Sequence, residues 1–251
     1  MFKVYGIIPA RFGSTRFPGK PLHKICGKPL IAWVYEAVKK AESLTDVIVA
    51  TDDDRIMEVV NGTGGVAVMT PSELPSGTDR VACAAGNFDD NDIIVNIQGD
   101  EPLISPDLIN DLVSKLLENP EIDMATAVTK IESEFELEDK GVVKVVLDRN
   151  DKALYFSRLP IPCQRDGKAS VESNLYVRHL GIYAYRGGFL RKFVEEKPCA
   201  LERAEKLEQL RALWMGGSIA VVRTNDEGFG VDTPEDAARV EEILRERGIV
   251  K

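Results

Sequence analysis

The stretch VYGIIPARFGSTRFPGKPL, residues 4–22, decides the architecture. Val4–Ile8 is an apolar run of strand length, and it opens directly into a loop rather than into an amphipathic segment. That loop, Pro9–Pro21, holds Arg11, Arg16, Lys20, Ser14, Thr15 and the glycines Gly13 and Gly19. Glycines let backbone N–H groups approach an oxyanion, and the basic and hydroxyl side chains add charge and donors. The G-x-x-x-x-G-K-[ST] spacing of a Walker A loop is absent. Residues 1–30 carry Lys3, Arg11, Arg16, Lys20, Lys24 and Lys28 and no acidic residue, within a chain of net charge −9. A local positive field inside an acidic protein suits a small polyanion. The overall charge argues against wide contact with a nucleic-acid backbone, so no nucleic-acid partner is expected.

Outward from this stretch the pattern alternates. A helix is predicted over Pro29–Ala41, with Ile31, Val34, Tyr35 and Val38 on one face. Strands follow at Asp46–Ala50, Val66–Met69 and Ile93–Ile97, and helices at Asp53–Val60, Gly77–Gly86 and Asp107–Leu117. This rhythm predicts an α/β fold with a mainly parallel sheet covered by helices on both faces, and ligands bind such sheets beyond the carboxyl ends of the strands. Near Asp123 the rhythm changes to strands with little helix between them: Met124–Val128, Val142–Leu147, Ala153–Phe156 and His179–Tyr185. Helices around Gly188–Glu195 and Leu207–Met215, a strand at Ser218–Val222 and a last helix at Pro234–Arg247 complete the chain. One domain over residues 1–251, with a sheet-rich substrate lobe at about 123–215, is the simplest organisation. No apolar run reaches the roughly 18 residues of a membrane helix. The N-terminus lacks a signal-peptide pattern, and Cys26, Cys83, Cys163 and Cys199 form no C-x-x-C pair. A cytoplasmic protein with reduced thiols and no membrane partner is expected.

Several motifs carry chemistry. Asn96-Ile97-Gln98-Gly99-Asp100-Glu101-Pro102 sits at the carboxyl end of an apolar strand, where Asp100 is a candidate magnesium ligand and Gly99 would let its backbone approach a nucleotide. Asp232, in Gly230-Val231-Asp232-Thr233-Pro234, is either a helix N-cap or a partner carboxylate. Ser76-Gly77-Thr78-Asp79-Arg80 opens a helix with small donors and a cation, and Ser157-Arg158 ends a strand. His179 and Tyr183, four apart on a strand, share a face. His179 reads equally as a hydrogen-bonded structural histidine or as a ligand contact. For Leu207-Glu208-Gln209-Leu210-Arg211 a solvated helix face is the plain alternative. Gly62-Thr63-Gly64-Gly65-Val66-Ala67 nominally fits a dinucleotide fingerprint. It follows a helix and precedes a strand, the reverse of what the fingerprint requires, so a helix terminus accounts for it.

Taken together, PARFGSTRFPGKPL, VNIQGDEP, KVVLDRNDKALYFSR, RHLGIYAY, LEQLR and GVDTPED resemble the 3-deoxy-manno-octulosonate cytidylyltransferase (CMP-Kdo synthetase) family, from Ile7 to Glu241. The resemblance implies a Rossmann-like nucleotide-diphospho-sugar transferase fold and a homodimer. It implies activation of Kdo with CTP, giving CMP-Kdo and pyrophosphate for lipopolysaccharide biosynthesis. A related 2-keto sugar acid, such as 8-amino-Kdo or sialic acid, is the alternative substrate. Ala10, Arg11, Ser14, Thr15, Arg16 and Lys20 would hold the triphosphate, and Ser76, Gly77 and Arg80 would lie near the cytosine. Gln98, Arg158, His179, Tyr183, Glu208 and Gln209 would form the sugar pocket, and Asp100 and Asp232 would bind Mg2+. Lys20 and Arg16 would stabilise charge on the leaving pyrophosphate, and Arg158 would meet the sugar carboxylate. Residues 164–176 match no motif of the family closely.

Overall fold

The structure, a computed structural model, describes residues 2–13 and 17–250; Ser14, Thr15 and Arg16 of the basic loop lie outside the described residues. In chain order the elements begin with β1 (Val4–Ala10), β2 (Lys24–Ile25), β3 (Lys28–Pro29), α1 (Leu30–Val38), β4 (Asp46–Thr51), α2 (Asp54–Gly62), β5 (Val66–Met69), α3 (Gly77–Ala85), β6 (Ile93–Asn96) and α4 (Pro106–Glu118). They continue with β7 (Met124–Lys130), α5 (Glu134–Glu138), β8 (Lys144–Leu147), β9 (Ala153–Ser157), β10 (Val177–Arg186), α6 (Gly187–Glu195), α7 (Ala200–Glu205), α8 (Gln209–Trp214), β11 (Ile219–Arg223) and α9 (Pro234–Glu246). None of the described helices is long and apolar enough to cross a membrane.

The main sheet runs β11-β7-β10-β6-β1-β4-β5. Strand β1 lies parallel to β4 and β6, β4 parallel to β5, and β7 parallel to β11. Strand β10 is inserted antiparallel between β6 and β7, and the β8–β9 hairpin attaches where Arg178 faces Lys144. The expected mostly parallel α/β sheet is therefore present, with one reversed strand at its centre. The lone reversal has a simple cause. Strand β10 returns from the loop and hairpin that follow β7, whereas a parallel neighbour needs a crossover connection from the other end of the sheet.

Period-2 alternation sends neighbouring side chains to opposite core layers. Ile8, Val95, Ile182 and Ala184 pack with Val34 and Val38 of α1, Leu112 and Leu116 of α4 and Val240 of α9. Ile7, Ile94 and Tyr185 pack on the other face with Val81 of α3, Phe193 of α6 and Leu210 of α8. Helix starts follow from sequence: Ser105 caps α4 with Pro106 in its first turn, and Thr233 and Asp236 form a reciprocal capping box on α9. At the end of α2, Gly64 adopts φ +73° and a Cβ on Gly65 would come 2.8 Å from Tyr35, so those glycines are a helix terminus as predicted.

Strand β10 is fastened at both ends by arginines. The Arg186 guanidinium donates to the carbonyls of Ile122, Leu116 and Asn119, while Arg178 pairs with Glu136 at 2.7 Å and donates to the Glu227 carbonyl. Between them the pairing with β7 shifts register from Leu180 to Tyr183. The carbonyls freed there find side chains: Gln98 Nε2 donates to Gly181 at 2.8 Å, and Thr126 Oγ1 donates to Ile182 at 2.8 Å.

Candidate active site

Two adjoining cavities open beyond the carboxyl ends of β1 and β6. The smaller, about 440 Å³, is lined by Ala10, Arg11, Gly13, Lys20, Ser76, Gly77 and Arg80 among others. The larger, about 700 Å³, is lined by Arg158, His179, Tyr183, Glu208 and Gln209 among others. Pro9, Gly77, Gln98, Asp100 and Asp232 line both. The expected nucleotide residues among those described thus gather in one cavity and the expected sugar residues in the other, with Asp100, Asp232 and Gln98 at the junction.

The loop after β1 is pinned to the sheet edge. The Phe12 N–H donates to Asp52 Oδ1 at 3.3 Å, and the Gly19 N–H donates to the Phe12 carbonyl at 3.2 Å with Gly19 at φ +70°. A short 3₁₀ turn, Lys20–Leu22, then aims the Lys20 ammonium at the junction, 2.6 Å from Asp100 Oδ2 and 3.1 Å from Asp232 Oδ1. The Asp232 side chain is available for this because Thr233, one residue later, is the N-cap of α9. Gly99 lines the smaller cavity and has a packing role as well: a Cβ there would come 2.7 Å from the Pro9 carbonyl, so the ends of β6 and β1 approach closely at this position. Two carboxylates converging on one cation position suit a magnesium ion, which takes one or two carboxylates and completes its shell with water and phosphate oxygens. No group of three or more metal-ligating side chains occurs among the described residues. Next to Asp100, burial pushes the Glu101 carboxyl up to about 8, with the charges of Asp100 and Asp226 adding to the shift.

Two arginines are more tightly held than the sequence implied. Arg80, 2 % exposed, pairs with Asp52 at 3.1 Å and donates to Thr70, bracing the ends of β4 and β5 behind the nucleotide cavity. Arg158 donates from Nε to the Glu205 carbonyl at 2.6 Å, and from its two terminal nitrogens to the carbonyls of Lys140 at 2.8 Å and Lys206 at 3.2 Å. These partners of the side chain are neutral, so three of its five donors are occupied without an ion pair among the described residues, while the Glu205 carboxylate accepts from the Arg158 backbone N–H at 3.0 Å.

The wall of the larger cavity is built on β10 and α8. The His179 ring stacks against Phe156 and Tyr183, and its Nε2 lies 2.9 Å from Thr126 Oγ1. Thr126 gives its proton to a backbone carbonyl, so it accepts from His179, whose Nδ1 is left as an acceptor. Burial depresses the imidazole to about 3, and it is neutral at ordinary pH. Burial raises the Tyr183 hydroxyl, with Glu208 adding. The Leu207–Arg211 segment is not a solvated face, since Gln209, Leu210 and Arg211 are buried. Arg211 bridges Glu202 at 2.8 Å and Glu208 at 3.2 Å, while Thr78 donates to the other Glu208 oxygen at 2.5 Å. Desolvation raises the Glu208 carboxyl, opposed by the Thr78 hydrogen bond and Arg211.

The sequence did not single out Lys144. It is fully buried, its ammonium donates to the carbonyls of Asp139 at 2.8 Å and Val142 at 2.7 Å, and it holds the 139–143 wall in place. A charged residue opening the apolar run Lys144–Leu147 was the available signal.

Residues 5–220 match the protein-family model described as cytidylyltransferase. The 3-deoxy-manno-octulosonate cytidylyltransferase of Bdellovibrio bacteriovorus is 47% identical over 98% of this chain and 100% of its own length. That of Syntrophus aciditrophicus is 49% identical over 97% and 98%. A solved structure of CMP:2-keto-3-deoxy-manno-octonic acid synthetase complexed with CTP superposes with a TM-score of 0.90 at 39% identity, covering 98% of this chain and 99% of that one. The 4-diphosphocytidyl-2C-methyl-D-erythritol synthase of Anaerococcus prevotii, at TM-score 0.65 and 12% identity over 97% of this chain and 99% of its own, shares the fold. With relatives at this identity over nearly their whole length and a cytidylyltransferase model matching residues 5–220, the chain belongs to the 3-deoxy-manno-octulosonate cytidylyltransferase family.

Proposed function

We propose that this protein transfers a cytidylyl group from CTP to 3-deoxy-D-manno-octulosonate, giving CMP-Kdo and pyrophosphate. The observation that carries this is the meeting of a basic cavity and a polar cavity at Asp100, Asp232 and Gln98. CTP occupies the smaller cavity, with Arg11 and Lys20 toward its phosphates. The sugar acid occupies the larger one, its carboxylate facing the guanidinium of Arg158, which has donors left beyond the three carbonyls it holds. The anomeric 2-hydroxyl oxygen then forms a bond to the α-phosphorus as the bond to the β-phosphoryl bridging oxygen breaks. The hydroxyl proton is released, and pyrophosphate leaves with the electron pair. Holding both reactants in one geometry supplies much of the rate. Lys20 offsets charge growing on the leaving group. Asp100 and Asp232 would hold magnesium, which when bound polarises the phosphoryl oxygen and lowers the pKa of the attacking hydroxyl.

A homodimer is part of the proposal, carried by the family to which the chain belongs; the exposed apolar side chains Phe135, Leu154, Leu159 and Leu175 of the expected substrate lobe are available to such a contact. The four free cysteines support a reducing, cytoplasmic setting in which CMP-Kdo enters lipopolysaccharide assembly. The test is pyrophosphate release with CTP and magnesium across Kdo, 8-amino-Kdo and sialic acid. Kdo is expected to give the highest kcat/KM, and a higher value for either competitor would overturn the substrate assignment.

A further inference from the structure

We propose that Asn96, the last residue of β6, is a substrate-binding residue whose side-chain carbonyl accepts a hydrogen bond from a hydroxyl of the sugar acid. The inference rests on the assignment of the larger cavity to that substrate. Asn96 is 3 % exposed, lines that cavity and faces Tyr183 across the β6–β10 pairing. Its orientation follows from a chain of hydrogen bonds. The Thr78 hydroxyl has one proton, which it gives to Glu208 at 2.5 Å. The Thr78 hydrogen bond and Arg211, which holds the other Glu208 oxygen at 3.2 Å, favour the ionised, acceptor-only carboxylate against the desolvation that raises it. The Thr78 oxygen therefore accepts from its other neighbours, the Asn96 amide nitrogen at 3.3 Å and the Tyr185 hydroxyl. The amide cannot turn over without setting its carbonyl against the Thr78 oxygen. Asn96 Oδ1 is thereby left buried with no hydrogen-bond partner among the described residues.

Buried carbonyls are rarely left unpaired. A second such atom, Gln209 Nε2, belongs to a residue that is 4 % exposed and lines the same cavity. One is an acceptor and the other a donor, and a hydroxyl group can satisfy both kinds of partner. A polyhydroxylated ligand fits this cavity, and one lacking the relevant hydroxyl would leave Asn96 Oδ1 unpaired in the complex.

The experiment compares wild type with Asn96→Leu, close in size and without polarity, on Kdo and on its series of monodeoxy analogues. The KM for Kdo should rise about tenfold or more, with the KM for CTP within about twofold of wild type. For one deoxy analogue, the one lacking the hydroxyl that Asn96 receives, the two proteins should have kcat/KM values within about twofold of each other. A penalty equal across Kdo and every analogue would make Asn96 a packing residue and overturn the inference. Failure of the wild type to use Kdo would instead overturn the substrate assignment and this inference with it. Should the leucine variant not fold, Asn96→Ala, which leaves room for water beside Thr78, carries the same comparison.

Discussion

Replacing Arg158 by lysine keeps a positive charge in the larger cavity and removes the planar fork. The native guanidinium makes three hydrogen bonds to the carbonyls of Glu205, Lys140 and Lys206 and still has donors to offer a ligand. A lysine ammonium has three donors in all, so it cannot hold those carbonyls and also make a two-point contact with a carboxylate. Losing one charge-assisted contact costs about 1.5–3 kcal/mol, which is about a tenfold to 150-fold loss of affinity for the sugar acid. Stability should change little, by under about 1 kcal/mol, because Lys140 and Lys206 are exposed and water can replace the lost donors. The nucleotide cavity does not include Arg158, so the KM for CTP should stay within about twofold. Steady-state assays varying CTP and Kdo separately, with a denaturation curve for each protein, give all three quantities. A selective loss for CTP with normal Kdo use would place Arg158 on the nucleotide side and refute the division of the two cavities.

Asp100→Asn and Asp232→Asn should each lower turnover by at least about a hundredfold at saturating magnesium while leaving the fold intact, since each removes a charged ligand from the junction. Near-normal activity of either variant would remove that residue from the site. CTP should be strongly preferred over ATP and GTP, with UTP the nearest competitor, because a wrong base leaves a buried group unpaired. Equal kcat/KM for ATP and CTP would contradict the nucleotide assignment. Stability should fall on acidification because of His179: its folded value is about 3 against about 6.5 in the unfolded chain, so below pH 6.5 the unfolded state binds a proton that the folded state refuses. The contribution is lost by up to about 1.4 kcal/mol per unit between those two values, and denaturation at pH 7 and pH 5 should show a shallower pH dependence for His179→Gln. Equal pH dependences would mean that His179 is protonated in the fold.

The α/β alternation from Val4 to Glu118 was legible because each element there is local, set by apolar period and by caps such as Asp53, Ser76 and Ser105. The direction of β10 was not, since an apolar strand reads the same in either orientation and its neighbours are fixed by tertiary pairing. The β2–β3 hairpin escaped notice because its turn is Cys26-Gly27, with both residues at positive φ, and cysteine is not a residue that announces such a turn. At the site, the residue types singled out line the two cavities, but their partners were not legible. Arg80 and Arg158 both read as ligand cations, and what the sequence hides is that one is neutralised by Asp52 while the other is held by uncharged carbonyls. Asn96 was hidden in a different way: it stood inside a recognised motif whose carboxylates drew the attention.

The arginine fastenings of β10 have a mechanical consequence. A strand gripped at Arg178 and Arg186, and hydrogen-bonded along both edges, behaves as a tie-rod, and His179 and Tyr183 are studs on that rod. Displacing either ring means sliding or bending a member that spans the sheet, so their spacing carries the stiffness of the whole molecule. The walls at 139–143 and 205–208 are held largely through side chains, Lys144 and Arg158 for the first and Ser157, Arg158, Thr78 and Arg211 for the second, with one backbone bond from the His179 N–H to the Val143 carbonyl. The larger cavity is thus a vice with one fixed jaw and one sprung jaw. Divergence in sugar choice among related enzymes has room to accumulate on the sprung side without loosening the anvil.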